Sequence, residues 1–220
     1  MKPIKICGIT NLNDAQLVER EGASAIGFIF YKKSPRYIEP QMACEIVNNV
    51  KGKISSVGVF VDESLNKIHE INRKVGLDFV QLHGNESSEY CKKVELPVIK
   101  VFRMDEDFNQ KKIFNFNVHA FLFDTYEKNY YGGTGKQFNW ELIRDLKAEC
   151  PIILSGGLNA QNIRDGIKVV MPDALDVNSG VEISPGLKNA DKIKSLFHVI
   201  NDTKSSINPF HVSSLKRGIA

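Results

Sequence analysis

The side chains of this chain that could exchange protons are few. Of its four cysteines, Cys7, Cys44, Cys91 and Cys150, none forms a C-x-x-C pair. That spacing disfavours zinc and dithiol chemistry, so a working thiol would act alone. Cys7 closes the run Ile6-Cys7-Gly8-Ile9-Thr10, at a strand's end and before a flexible glycine, whereas the other three fall in or beside helical stretches. A lone cysteine is most often a core residue, and its position is what singles Cys7 out. Asp124 ends Phe121-Leu122-Phe123-Asp124, where strand alternation sets it on the face of Leu122, opposite the two phenylalanines. It would cap a loop, pair with a lysine, or serve as an acid. A thiol and a carboxyl sharing one opening would supply a base and an acid.

Two glycine-bearing segments, Ser155-Gly156-Gly157-Leu158-Asn159 and Asn178-Ser179-Gly180-Val181-Glu182, are free of bulk. Backbone N–H groups in such loops can converge on a phosphate, which makes a phosphorylated substrate the expectation. Tyr130-Tyr131-Gly132-Gly133-Thr134-Gly135-Lys136 resembles a nucleotide P-loop at first sight, but Gln137 follows the lysine and the required spacing is missing. It reads as a mobile loop over the site or a plain surface hairpin. Arg36, in Ser34-Pro35-Arg36-Tyr37, could fork onto a carboxylate, although exposed arginines are usually just solvated. His83, after Gln81-Leu82, could donate to a ligand oxygen or merely close a turn. His69, His119, His198 and His211 have no constellation around them.

These groups must be positioned by the elements that carry them. Short β-branched or aromatic runs at 4–7, 25–30, 55–61, 78–82, 97–102, 119–123, 151–154 and 174–177 predict eight strands. Helical stretches follow at 12–21, 40–49, 64–75, 86–94, 138–148, 160–169 and 188–200, several opened by a cap such as Asn11, Ser64 or Asn159. A fifth crossover, at 106–116, has three asparagines and loose periodicity, so a short or irregular helix is expected there. Eight strand-crossover units predict a closed (β/α)8 barrel or an open doubly wound sheet. Lys5, Gln81, Lys100 and Asp176, polar residues inside strand runs, favour the barrel, whose mouth can accommodate such groups if they pair. In a barrel the strand ends and following loops carry the chemistry, and that is where Cys7, His83, Asp124 and the two glycine loops fall.

The chain of 220 residues has 29 Lys and Arg against 26 Asp and Glu, a net charge of +3 too small to argue for nucleic acid or a membrane surface. No apolar run approaches a transmembrane span and none reads as a signal peptide, so the expected location is the cytoplasm. One catalytic domain is expected over residues 1–202, and 203–220 reads as a flexible tail, with a docked segment or partner-binding arm as the alternative.

Taken together and in order, KICGIT-N, SPRY, VGVFV, VQLHG, YGGTGK, LSGGL-N and DVNSGVE resemble the phosphoribosylanthranilate isomerase family over roughly residues 4–200. The resemblance implies a (β/α)8 barrel that rearranges N-(5-phosphoribosyl)anthranilate to 1-(2-carboxyphenylamino)-1-deoxyribulose 5-phosphate without cofactor or metal. It implies Cys7 as general base and Asp124 as general acid. Gly156, Gly157, Ser179 and Gly180 would take the phosphate and Arg36 the anthranilate carboxylate, with His83 and Asp176 completing the binding set. A small phosphosugar-anthranilate is then the partner, and the chain a monomer or homodimer. The tail departs from the family pattern. Indole-glycerol-phosphate synthase and ribulose-phosphate epimerase would share the phosphate loops, but they need a lysine acid or a metal or carboxylate pair. A non-catalytic phosphate-binding barrel would not need intact acid and base positions.

Both proton-transfer groups start in the wrong state at neutral pH: a free Asp is only about 0.1% protonated and a free thiol only ~3% ionised. Burial beneath the substrate would raise the carboxyl, and a nearby cation would lower the thiol. Lys5, two residues before Cys7 and on the same strand face, is the expected cation, kept charged by Asp176 on the adjacent eighth strand. A purely structural buried pair is the alternative.

Overall fold

The computed structural model describes residues 1–50, 52–106, 108–125, 137–201 and 208–211. Eight parallel strands, β1 (Ile4–Ile6), β2 (Ala25–Ile29), β3 (Ser55–Phe60), β4 (Phe79–Leu82), β5 (Val98–Met104), β6 (Ala120–Thr125), β7 (Ile152–Leu154) and β8 (Ala174–Val177), pair in chain order. β8 closes on β1 through Asp176 opposite Lys5, so the sheet is a barrel. These strands are near-continuous apolar runs because helices cover one face and the barrel interior the other.

The crossovers hold helices α1 (Leu12–Arg20), α2 (Pro40–Val50), α3 (Leu65–Val75), α4 (Ser88–Cys91), α5 (Ile163–Val170) and α6 (Ala190–Ile200). Asn11 and Ser64 cap α1 and α3 as expected, accepting from the N–H groups of Asp14 and Lys67. Asn159 caps the turn before α5, accepting from Gln161 and Asn162. Among the described residues of 106–116, Gln110–Asn115 form a 3-10 helix, consistent with the asparagines there: Asn109 accepts from the Lys111 N–H and offers the backbone a local partner. The longer helix expected at 138–148 is reduced to a 3-10 turn, Trp140–Ile143, held by bonds such as Leu142 N–H to Asn139 O. That at 86–94 is reduced to the single turn α4. Among the described residues no helix is long and apolar enough to cross a membrane.

Strand parity divides the core in two. The outward residues, Phe28, Phe60 and Phe123 among them, pack under the helices, while Ala25, Val57, Phe79, Ile99, Val101 and Leu122 belong to the apolar cluster inside the barrel. This parity corrects one expectation. Lys5, Gln81 and Asp176 share the inward parity, but Lys100 lies between inward Ile99 and Val101 and so points to the helical layer. There it donates to Glu86 at 2.6 Å and to the Gly84 carbonyl at 2.9 Å, tying down the loop after β4. Of the tail, residues 208–211 are described, and they are docked: Phe210 is buried. The rest of the tail, like the Tyr130–Lys136 glycine loop, lies outside the described residues.

Candidate active site

At the C-terminal ends of the strands, Cys7, His83, Asp124, Ser155, Asp176 and Asn178 line one cleft. The thiol has its place because β2 carries a glycine. A Cβ on Gly27 would stand 2.7 Å from Cys7 Sγ and 3.0 Å from Lys5 Cε. Glycine inside a strand often marks such a close approach. Beyond the thiol, Gly8 turns the chain at φ +71°, and a Cβ there would meet Asn178 and Arg36.

Beneath Cys7, Lys5 is fully buried and donates to Asp176 Oδ1 at 2.6 Å. Burial works against the Lys5 ammonium, but Asp176 and Cys7 outweigh it and hold the lysine charged beyond its ordinary range. Burial pushes the Cys7 thiol up; Lys5 and Lys188 pull it back, and Asp176 adds to the rise. In the free cleft burial prevails, so the sequence-based expectation of a lowered thiol is met only in the sign of the Lys5 contribution.

Asp124 is 5% exposed and accepts from the Thr125 N–H at 2.8 Å. Its other oxygen is 3.3 Å from His83 Nε2, though not aligned for a hydrogen bond. Gln81 Nε2 lies 3.3 Å from His83 Nδ1. An amide donating to Nδ1 leaves the ring proton on Nε2, facing Asp124. Gln81, His83 and Asp124 thus form a short polar row inside the mouth, and two atoms in it, Gln81 Oε1 and His83 Nε2, are buried without a hydrogen-bond partner among the described residues.

Arg36 is buried, not a solvated surface arginine. Its Nε is 3.0 and 3.1 Å from the two oxygens of Glu182, and a terminal nitrogen donates to Oε2 at 2.7 Å. Lys188 donates to the same carboxylate at 2.9 Å and to Asn178 Oδ1 at 3.1 Å. Burial works to raise Glu182, but Arg36 and Lys188 outweigh it and hold the carboxyl below its ordinary range. Among the described residues Arg36 and Lys188 converge on the single carboxylate of Glu182. Glu182 and Lys188 come from a hairpin, β9 (Glu182–Ser184) with β10 (Leu187–Lys188).

The two glycine loops touch each other. A Cβ on Gly180 would collide with the Leu158 carbonyl, and one on Gly156 with Thr125. Gly156 and Gly157 take φ of +88° and +64°, and the Gly157 carbonyl is fixed by Asn159 and Asn162. Ser179 and Gly180 begin a short 3-10 turn, Ser179–Val181.

The structure therefore brings Cys7, His83, Asp124 and Asp176 to one cleft, with Arg36 joined to it through Glu182, Lys188 and Asn178 and the Gly156–Gly157 and Ser179–Gly180 loops in mutual contact. The sequence reading missed the roles of Gly27, Glu182 and Lys188. Only Gly27 carried a signal, a glycine amid a strand run.

A sequence model of the family described as N-(5'phosphoribosyl)anthranilate (PRA) isomerase matches residues 4–199. The N-(5'-phosphoribosyl)anthranilate isomerase of Syntrophus aciditrophicus is 42% identical over 201 residues, 91% of this chain and 87% of that protein. The crystal structure of phosphoribosyl anthranilate isomerase from Thermus thermophilus has a TM-score of 0.84 at 33% identity, covering 90% of this chain and 98% of that one. A phosphoribosyl anthranilate isomerase in complex with reduced 1-(o-carboxyphenylamino)-1-deoxyribulose 5-phosphate has a TM-score of 0.78 at 40% identity, covering 91% of this chain and 99% of that one. By fold, by cleft and by these matches along its length, the chain belongs to the N-(5'-phosphoribosyl)anthranilate isomerase family of tryptophan biosynthesis.

Proposed function

We propose that the cleft performs the family's Amadori-type rearrangement with Asp124 as general acid and Cys7 as general base. The observation that supports this most is that these two side chains, from strands on opposite sides of the barrel, line the same opening. Asp124 protonates the ribose ring oxygen as its bond to C1 breaks, leaving a protonated imine between C1 and the anthranilate nitrogen. Cys7, as thiolate, then takes the proton from C2. The electron pair of that C–H bond forms the C1–C2 double bond and neutralises the iminium. The enol-amine gains a proton at C1 as its hydroxyl becomes the C2 ketone. The iminium is itself the electron sink, so one acid and one base suffice as far as the enol-amine, and its ketonisation exchanges protons with solvent.

His83, with Gln81 behind it, stands beside Asp124 at the sugar side. Arg36, fixed by Glu182 and joined by Lys188, takes the anthranilate carboxylate. The Gly156–Gly157 and Ser179–Gly180 backbones take the phosphate at the position this fold most often uses for one. Lys5 sits beneath Cys7 and favours the thiolate.

The test is to supply phosphoribosylanthranilate to the purified protein and follow the loss of its fluorescence. Cys7→Ala and Asp124→Asn should each lower kcat by about 10² to 10⁴ with little change in KM, the worth of one general acid or base. Arg36→Ala should mainly raise KM. Near-full turnover by Cys7→Ala would overturn the assignment of roles.

A further inference from the structure

The lower end of the barrel is built with a vacancy that the chain fills from its own tail. In this fold the interior is packed in layers of four side chains drawn from alternate strands. The first inward residues of the four even-numbered strands are Ala25, Phe79, Ala120 and Ala174, so three of the four positions hold only a methyl group. Such a layer leaves space under the barrel, and interiors of folded proteins are close-packed. Phe210 belongs to this same apolar cluster and is 1% exposed. Its ring meets Phe79 edge to face at a centroid distance of 6.4 Å.

The backbone around Phe210 is held as well. Ser55, the first residue of β3, donates to the Phe210 carbonyl at 2.6 Å. His119, just before β6, lies 2.6 Å through Nε2 from the Pro209 carbonyl and stacks obliquely on Phe79. Asn208 accepts from the Phe210 N–H and bends the segment into the barrel. An aromatic ring in an all-apolar socket, with its two flanking carbonyls satisfied by side chains at strand starts, is a docked element.

We propose that the N-terminal end of the barrel is a socket for one aromatic side chain and that Phe210 of the same chain is its resident occupant, completing the bottom layer. The connection allows it. α6 runs back toward the strand starts, and the seven Cα steps from Asn201 to Asn208 reach up to about 25 Å. That exceeds the ~10–12 Å thickness of a helix. This inference is independent of the chemistry proposed at the opposite end.

The experiment compares full-length wild type with Phe210→Leu and Phe210→Ala by urea unfolding, with and without saturating toluene. The expected loss is that of burying one aromatic side chain. Phe210→Ala should lower the folding equilibrium constant about 10- to 150-fold, and Phe210→Leu by less. An apolar cavity of this kind stays dry and accepts an aromatic molecule, so toluene should restore much of the Phe210→Ala midpoint and leave wild type unmoved. The kcat of the folded variants should stay at the wild-type value. Coincident midpoints for wild type and Phe210→Ala, or toluene acting equally on both, would overturn the proposal. So would a wild-type midpoint that rises with protein concentration, the mark of a socket filled from a second copy.

Discussion

Removing the Lys5 charge should raise the Cys7 thiol pKa and carry the pH dependence of catalysis with it. A unit charge about 4 Å from a thiolate, in a medium of effective dielectric ~20, stabilises it by ~4 kcal/mol. Asp176, 2.6 Å from the same ammonium, opposes the thiolate, but by less than Lys5 favours it. The net pull of the pair is toward the thiolate. Lys5→Met alone would strand a buried carboxylate, at a cost of about 3–5 kcal/mol. The variant to titrate is therefore Lys5→Met/Asp176→Asn, in a background where Cys44, Cys91 and Cys150 are alanine. The sign follows from the thiol being neutral when protonated: losing the net cationic influence disfavours the anion, and the pKa rises. The thiolate fraction at pH 7 then falls. The limb of kcat/KM that rises with pH moves to higher pH with it, because that limb reports ionisation of the base. Rates of iodoacetamide alkylation across pH give the thiol directly, and turnover of phosphoribosylanthranilate gives the limb. A folded double variant with an unmoved thiol pKa would refute the charge argument and leave Lys5–Asp176 as a structural pair.

Two further substitutions probe what positions the site. Glu182→Gln leaves Arg36 and Lys188 without their carboxylate. KM should rise about 10-fold with kcat changed much less, and Glu182→Asp should recover part of the loss; an unchanged KM would show that Arg36 needs no such support. Because Glu182 is held low in the folded protein, its stabilisation is full above an unfolded carboxyl's pKa of ~4.3 and is lost as pH falls through the lower folded value. The Gln variant's urea midpoint should accordingly be flatter across that acid range. Gly27→Ala drives a methyl group into Cys7 Sγ and Lys5 Cε. It should cost ~1–3 kcal/mol in stability as an overpacked site and lower kcat by 10-fold or more, since a displaced base of about 1 Å can cost ~10²-fold. Wild-type kcat in this variant would mean the thiol has room the structure does not give it.

The features legible in the sequence share a cause: they are set by neighbours within a few residues. Strand and crossover alternation, the Asn11 and Ser64 caps and the parity of Lys5 with Cys7 are all local, and all appear as read. Parity misled at Lys100 because a polar residue in a strand run says nothing of which face is the interior. Only the inward Ile99 and Val101 on either side of it decide that, and its partner Glu86 belongs to a different crossover. The helix at 138–148 was misjudged for a related reason. Its periodicity was sufficient, but only Ile143 is fully buried in the turn that forms, and tertiary packing supplies most of a helix's stability.

The same reasoning separates the two halves of the active site. Cys7, Asp124 and the glycine loops could be found from the chain because each ends or follows a strand, and the barrel then gathers strand ends for geometric reasons alone. Arg36, Glu182 and Lys188 are gathered by charge instead. A loop after β2 meets a hairpin after β8, a pairing that becomes local only once β8 has closed on β1. Closure thus does two separate jobs. It registers Asp176 against Lys5 beneath the thiol, and it brings the hairpin carboxylate to the arginine above it. A change that loosened the β1–β8 seam would therefore disturb the environment of the base and the grip on the substrate carboxylate together, and Lys188, which holds Glu182 and also favours the Cys7 thiolate, belongs to both.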